Sequence, residues 1–379
     1  MVTCWRFLQT AALSALLAAC AAPHTPAPPA PGEPAAASGA QASSPPSAPP
    51  APEGSGAPAR RAAGTPAAAR PELKEFARAL ADSRNLDEDR ALALLEGARY
   101  SPAVARAIRP APRTGRIVRS WPVYRGRFVE PRRIRSGRTF LRDYRTVLEQ
   151  AERRYGVPAS VIVAIIGVET LYGANTGNFR ILDALSTLAF DYPDPARPDR
   201  ARMFRDQLAD FVELALQGRL DPGVRGSYAG ALGLPQFMPG SLKRYAVDGD
   251  GDGKTDLMYS VPDAVMSVAN FLVEHGWQPG LPVFAPVRLP PDPAPLVDGG
   301  LAPHLSWREL QGAGASPIPS GGNPAWQRAP LGVIDLPDES AGTVQYRTAT
   351  PNFFALTQYN RSYFYASAVA DLAEAIVRD

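Results

Sequence analysis

Glu169 closes the run Val161-Ile162-Val163-Ala164-Ile165-Ile166-Gly167-Val168, in which no side chain is charged or polar. Pro158 suits the first position of a helix, and a helix begun there puts Glu169 about three turns in, close to an end at Tyr172-Gly173. A carboxylate in that place is poorly solvated and faces the negative end of the helix dipole, so its ionised form is disfavoured and its pKa rises. A carboxyl group still protonated near neutral pH can protonate the leaving oxygen of a glycosidic bond. On position alone, a buried structural glutamate held by backbone or hydroxyl partners is the better reading. Two other segments bear on the choice. Gly226-Ser227-Tyr228-Ala229-Gly230-Ala231-Leu232-Gly233-Leu234-Pro235-Gln236-Phe237-Met238-Pro239 is too rich in small residues to be core helix throughout. It reads either as a tight helix-packing corner or as backbone brought close to a ligand, with Ser227 and Gln236 as polar contacts. Thr357-Gln358-Tyr359-Asn360 offers a phenol and an amide suited to stacking on and bonding to a sugar, although Asn is also common at helix starts.

A second cluster, Asp248-Gly249-Asp250-Gly251-Asp252-Gly253-Lys254-Thr255-Asp256, places carboxylates at positions 1, 3, 5 and 9 of an EF-hand loop with glycine at 6. Carboxylates that close repel unless a cation sits among them, so a structural calcium ion is the expected occupant; a solvated acidic turn is the alternative. Lys254 is tolerable because position 7 contributes its backbone carbonyl. Position 12 holds Tyr259, where an EF-hand has glutamate.

Other chemistries fall away. The two cysteines, Cys4 and Cys20, both lie in the first twenty residues, leaving the folded part without thiols. His24, His275 and His304 are too few and scattered for a zinc site or a serine triad, and His275 before Gly276-Trp277 reads as a helix end. No nucleophile elbow, P-loop or dinucleotide fingerprint is present. With 40 basic against 37 acidic residues, nucleic acid is not an expected partner. No cofactor is expected for catalysis.

The elements that must position these residues follow from periodicity. Residues 71–109 read as helical hairpins through Phe76, Leu80, Leu86, Leu92, Leu94 and Leu95. Residues 138–154 read as one amphipathic helix with Phe140, Tyr144, Val147 and Leu148 inward. The run before Glu169, apolar on every side, must be a central helix. Further helices are expected over 181–189, 200–217, 240–245, 262–275 and 363–377, and strand-like pieces over 283–289, 331–336 and 343–348. The fold class is α+β, mainly α: a helical N-terminal subdomain over 71–135, a core over 136–285, a small β-rich subdomain over 286–348, and a return to the core over 349–379.

Residues 1–19 carry Arg6 and an apolar run too short to span a bilayer, as an export signal does. Leu17-Ala18-Ala19-Cys20 resembles the lipobox of bacterial lipoproteins, which implies lipidation of Cys20; an ordinary secretory signal with a chance cysteine is the alternative. Ala21 in place of aspartate implies, by the same resemblance, the outer membrane with the protein facing the periplasm. Residues 20–70, dominated by Ala, Pro, Ser and Gly, cannot bury enough surface to fold and read as a tether.

Gly167-Val168-Glu169-Thr170, the run from Ser227 to Pro239, and Tyr359-Asn360 fall in the order of the three motifs of lytic transglycosylases with a goose-type lysozyme core. Residues 121–379 as a whole resemble the membrane-bound lytic murein transglycosylase B family. The resemblance implies a lysozyme-like helical core in which Glu169 is the single catalytic carboxylate. It would act as acid on the oxygen between N-acetylmuramic acid and N-acetylglucosamine in peptidoglycan, then as base on the sugar's C6 hydroxyl, closing a 1,6-anhydro ring without water. It further implies that Ser227, Gln236, Phe237, Tyr359 and Asn360 line the saccharide cleft with Tyr124 on its far wall, and that Asp263 closes a lengthened calcium loop. The partners so implied are glycan strands, a membrane reached through Cys20 and, more loosely, cell-wall synthesis proteins. Where the family has a compact basic pair after Tyr192-Pro193, this chain reads Asp194-Pro195-Ala196-Arg197-Pro198-Asp199-Arg200. Two rival readings stand beside this one: a hydrolytic muramidase using Asp183 or Asp191 as second carboxylate, and a catalytically silent wall-binding lipoprotein.

Overall fold

The computed structural model describes residues 71–109, 118–319 and 324–378. The expected signal segment, Cys20 and the tether lie outside the described residues. Among the described residues no helix is long and apolar enough to cross a membrane.

The N-terminal helices α1 (Pro71–Arg84), α2 (Glu88–Glu96) and α3 (Pro102–Ala107) follow the expected breaks, with Asp87 and Ser101 capping the second and third through their side chains. Leu73, Ala77, Leu80 and Leu95 are buried in the main core. At the end of α1, Arg84 donates to Asp210 at 2.7 Å and to Glu213 at 2.8 Å.

Next come α4 (Trp121–Phe128), α5 (Pro131–Asp143) and α6 (Arg145–Tyr155). The single helix expected over 138–154 is therefore two. The backbone turns at Tyr144 (φ −111°, ψ 23°), and this residue, expected inward, is exposed. One apolar stripe serves both halves, but their partners lie in different directions: α5 packs on α7 (Ala159–Thr170), whereas α6 packs chiefly on α11 (Val261–Glu274). Periodicity reports which face is buried and is blind to a turn of the axis.

Helix α7 is the centre of the molecule. Every residue from Val161 to Thr170 is buried except Glu169, and α5, α6, α11 and the last helix surround it. Such a helix gains its stability from packing on all sides rather than from propensity, since its β-branched residues are weak helix formers. A two-residue ribbon joins β1 (Phe179–Arg180) to β2 (Arg225–Gly226), enclosing the antiparallel pair α8 (Ile181–Phe190) and α9 (Pro198–Leu216). The short α10 (Pro239–Tyr245) then precedes α11.

Beyond residue 285 a second, smaller core forms around Trp307, Leu310, Trp326, Leu331 and Val333. Its frame is the ribbon β3 (Val287–Arg288) with β4 (Ser316–Pro317), the helix α12 (Trp307–Gly312), and the hairpin β5 (Gly332–Asp338) with β6 (Thr343–Ala349). The strand expected over 283–289 contracts to its last third, with Phe284 bridging separately to Ala349. Helices α13 (Pro351–Tyr359) and α14 (Tyr363–Val377) carry the chain back to α7, the latter over the span the sequence indicates.

Candidate active site

Glu169 sits where α7 ends abruptly. Leu171 (φ 51°) and Tyr172 (φ 58°) are consecutive non-glycine residues in the left-handed region, a conformation costing about 1–2 kcal/mol per residue. The surroundings hold it. The Tyr172 ring folds back beneath α7 and its hydroxyl donates to the Arg133 carbonyl at 3.1 Å, while Arg133 Nε donates to the Gly167 carbonyl at 2.9 Å. Room for that hydroxyl exists because both helices have glycine there: a Cβ on Gly137 or on Gly167 would stand 2.4 Å from it. Thr170 Oγ1 accepts from Gly173 N at 3.0 Å and donates to the Leu234 carbonyl at 3.0 Å, tying the helix end to the glycine-rich segment. Glu169 is left as the partly exposed member of an otherwise buried run.

Burial pushes the Glu169 carboxyl up to about 7, against the opposing pull of a hydrogen bond from Tyr365, whose hydroxyl donates to Oε1 at 2.7 Å. No second carboxylate contributes to that shift. Instead, the charge of Glu169 is felt by three phenols, Tyr124, Tyr359 and Tyr365, each raised by burial first and by Glu169 next. They stay protonated donors across the working range. Tyr359 and Tyr365 stack with centroids 6.3 Å apart, and Tyr124 packs against Trp121, Phe128 and Phe364. The Tyr124 helix is pinned to α14 by Asp371, which receives Arg125 at 2.6 Å and Arg347 at 2.5 Å. Asp183 is engaged elsewhere: its Oδ1 accepts from Arg99 N at 2.9 Å and from Arg180 Nη1 at 3.2 Å. Asp191 stands at the C-terminal cap of α8.

Tyr365 escaped the sequence reading. The only signal is a cluster of three aromatics, Tyr363-Phe364-Tyr365, opening the last helix behind Ser362. Its role yields a prediction. Tyr365→Phe removes the bond that stabilises ionised Glu169, so the acid's pKa rises further and the alkaline limb of the lytic pH–rate profile moves up by about one pH unit. An unmoved limb would show that the bond does not govern the acid.

The glycine-rich segment is a stapled loop. Ser227 Oγ accepts from Ala231 N at 2.9 Å and its own N donates to the Ala231 carbonyl at 2.9 Å, so this hydroxyl, expected to face a ligand, is turned into its own loop. Leu232 and Phe237 pair as a bridge. Gln236 adopts φ 52°, with Nε2 donating to the carbonyls of Gly233 at 2.9 Å and Thr176 at 3.2 Å. Phe237 is buried between Phe271 and Tyr359, and Tyr359 donates its hydroxyl to the Pro235 carbonyl at 2.6 Å. Glu169, Tyr124, Gln236, Phe237 and Tyr359 thus belong to one packed assembly, with Asn360 partly exposed at the end of α13. Of the arginines after Tyr192-Pro193, Arg197 pairs with Asp199 and Arg205 donates to the Ala189 carbonyl.

In the acidic loop, Asp248, Asp250 and Asp252 each bring a carboxylate oxygen to within 4.8 Å of the others. Asp248 accepts from Gly251 N at 2.7 Å and Gly253 N at 2.9 Å. Asp256 and Asp263 lie outside that trio. Asp256 Oδ1 accepts from Met258 N and Tyr259 N. Asp263 is buried and clasps both ends of the loop, accepting from Gly249 N at 2.8 Å and from Asp256 N at 2.6 Å. The donor set is all oxygen, which suits a hard cation such as calcium.

The chain is similar to known proteins in sequence and in fold. Residues 68–374 match the model of the transglycosylase SLT domain. Membrane-bound lytic murein transglycosylase B of Escherichia coli (strain K12) is 41% identical over 259 residues, covering 68% of this chain and 67% of that one. The structure of catenated lytic transglycosylase SltB1 from Pseudomonas aeruginosa superposes with a TM-score of 0.71 at 37% identity, covering 82% of this chain and 98% of that one. The Escherichia coli lytic transglycosylase Slt35, solved in complex with calcium, does so with a TM-score of 0.68 at 35% identity, covering 82% and 93%. On the family match over most of its length and on these identities, the chain belongs to the SLT-domain family of lytic transglycosylases, lyases that act on peptidoglycan.

Proposed function

We propose that Glu169 alone supplies the proton chemistry, cutting the β-1,4 bond between N-acetylmuramic acid and N-acetylglucosamine and leaving a 1,6-anhydromuramoyl end. The observation that carries this is a carboxyl raised by burial to about 7 whose hydrogen-bond partner is the Tyr365 phenol. Protonated Glu169 gives its proton to the glycosidic oxygen as the C1–O bond breaks and positive charge develops at C1. The resulting carboxylate keeps the Tyr365 hydrogen bond, which stabilises it. It then takes the proton of the C6 hydroxyl while O6 bonds to C1, so Glu169 ends protonated and no water is consumed. Tyr124, Gln236, Phe237, Tyr359 and Asn360 would line the saccharide path, and Ser227 would shape it by bracing the 226–237 loop. SltB3 from Pseudomonas aeruginosa, 31% identical with a TM-score of 0.66, has been solved in complex with NAG-NAM-pentapeptide, a fragment of the same polymer. Mass spectrometry of digested sacculi tests the reading. Anhydro ends are lighter than reducing ends by one water; a digest containing only reducing ends overturns the lyase step and returns a second carboxylate to the search.

Asp248, Asp250 and Asp252, with the Lys254 carbonyl, Asp256 and Asp263, would hold a calcium ion, as the complex of Slt35 suggests. Its chemistry is neutralisation of crowded carboxylates, which orders the loop. Calcium at a hundred times its dissociation constant stabilises the fold by about 2.7 kcal/mol, so thermal unfolding should shift upward on adding calcium and return on chelation. Asp250→Asn with Asp252→Asn removes the shift. Cys20, lipidated, would anchor the protein to the outer membrane with the tether of residues 20–70 spacing the enzyme toward the wall, and the divisions at residues 135, 285 and 348 would mark its subdomains.

A further inference from the structure

Two cavities that Glu169 does not line meet at Asn178 and Arg225, which line both. The first, of about 580 Å³, opens between the turn after α2 and the β1–β2 ribbon and carries Arg99, Arg180 and Arg225. The second, of about 810 Å³, runs on between residues 218–225 and 253–259 and adds Arg219 and Lys254. Three carboxylates stand among these five cations, and backbone N–H groups already bind each of them: Asp183 from Arg99, Asp221 from Gly223, Asp256 from Met258 and Tyr259. Asp183 also pairs with Arg180 at 3.2 Å, and Lys254 belongs to the acidic loop, so the positive excess of the trough rests on Arg99, Arg219 and Arg225, all exposed. The partly buried apolar side chains of Leu220, Val224 and Met258 line the second cavity with them.

Glu169, Tyr359, Tyr365 and Gln236 line neither cavity. The trough nevertheless adjoins the candidate site: Thr176 lines the second cavity, and its carbonyl receives the Gln236 amide at 3.2 Å. We infer that the trough is a second wall-binding site, taking the acidic peptide of peptidoglycan while the cleft takes the sugar. The inference rests on peptidoglycan being the substrate. Its argument is the spacing of charge. Cations set apart by apolar surface match carboxylates set apart by aliphatic side chains, as in a short acidic peptide. Each cavity has the volume of a small-ligand site, more than one inorganic anion fills. A membrane surface is too flat to enter either.

The test uses Arg99→Glu with Arg219→Glu, one exposed cation from each cavity, beside the parent protein. The binding probe is the free peptide stem released from sacculi by an amidase, titrated calorimetrically into both proteins in a Glu169→Gln background. The variant should bind it about tenfold more weakly, the scale of reversing two rim charges. In the active background, the parent should cut peptide-bearing glycan faster than amidase-stripped glycan. The variant should cut both at the parent's stripped-glycan rate. Equal peptide affinity in the two proteins overturns the inference, as does binding of inorganic phosphate or of anionic phospholipid vesicles with no binding of the peptide. A parent that cuts neither glycan would refute the lytic reading instead, and the calorimetric comparison would still decide the trough.

Discussion

Glu169→Gln is expected to lower the rate of lysis of purified sacculi about a thousandfold, within the usual range for removing a general acid–base group, while making the protein more stable than its parent at alkaline pH. The two effects share one cause. Folding lifts the carboxyl from its ordinary 4.5 to about 7, so the folded state binds this proton more tightly than the unfolded chain does. The stability contributed is fully present below pH about 4.5 and is lost as pH rises through 7. Above that, the buried charge costs about 3 kcal/mol relative to a neutral group. Glutamine has nearly the same shape and never ionises. Melting temperatures of parent and variant should therefore coincide near pH 4 and separate by several degrees at pH 8, the variant higher. Coincident curves at both pH values would show that the carboxyl is not held in its neutral form, and the acid assignment would lose its physical basis. Sacculus binding should survive the change, since amide and protonated acid fill the same space.

The second large effect comes from a glycine with no polar side chain to contribute. Gly233 has φ +69°, and a Cβ there would lie 2.1 Å from the Leu257 carbonyl oxygen and 2.6 Å from its carbon. That carbonyl receives Leu234 N at 2.9 Å, so the glycine-rich segment and the end of the acidic loop are backbone neighbours. Gly233→Ala adds the left-handed penalty to a clash with backbone that cannot rotate away, and should cost about 3 kcal/mol or more. Gly276→Ala isolates the first contribution: φ is +90° and no atom stands within 4 Å of the added carbon, so about 1 kcal/mol is expected. Equal destabilisation of the two variants by denaturant titration would mean the loops are free to separate. Because Gln236 and Phe237 lie three and four residues after Gly233, and Gln236 Nε2 bonds the Gly233 carbonyl, lysis should fall with stability in the first variant alone.

Much of this was legible in the sequence wherever a residue's type and its period agreed. A run apolar on every side could only be a central helix, and the aspartate–glycine alternation could only be a tight acidic loop; both stand where expected. Glu169 was legible as a candidate because burial follows from its neighbours. What was hidden depends on directions in space. The axis turn at Tyr144 leaves the apolar stripe intact. Ser227 offers a hydroxyl, yet the chain doubles back there and Ala231 N donates to that oxygen. Tyr365 is 196 positions from Glu169 and meets it only because the last helix packs along α7. No local pattern encodes that meeting.

The order of the chain gives the last helix a further meaning. The carboxyl of Glu169 is in place from the middle of the sequence, but Tyr359 and Tyr365 arrive after the small second core has been threaded. Tyr124 precedes the acid in the chain, whereas Tyr365, which bonds it, follows 196 positions later. A chain shortened before Tyr363 also exposes the flank of α7 that α14 covers. The site thus draws on two stretches of chain far apart in sequence, and removal of residues 363–377 would take away the Tyr365 bond and the cover of α7 together.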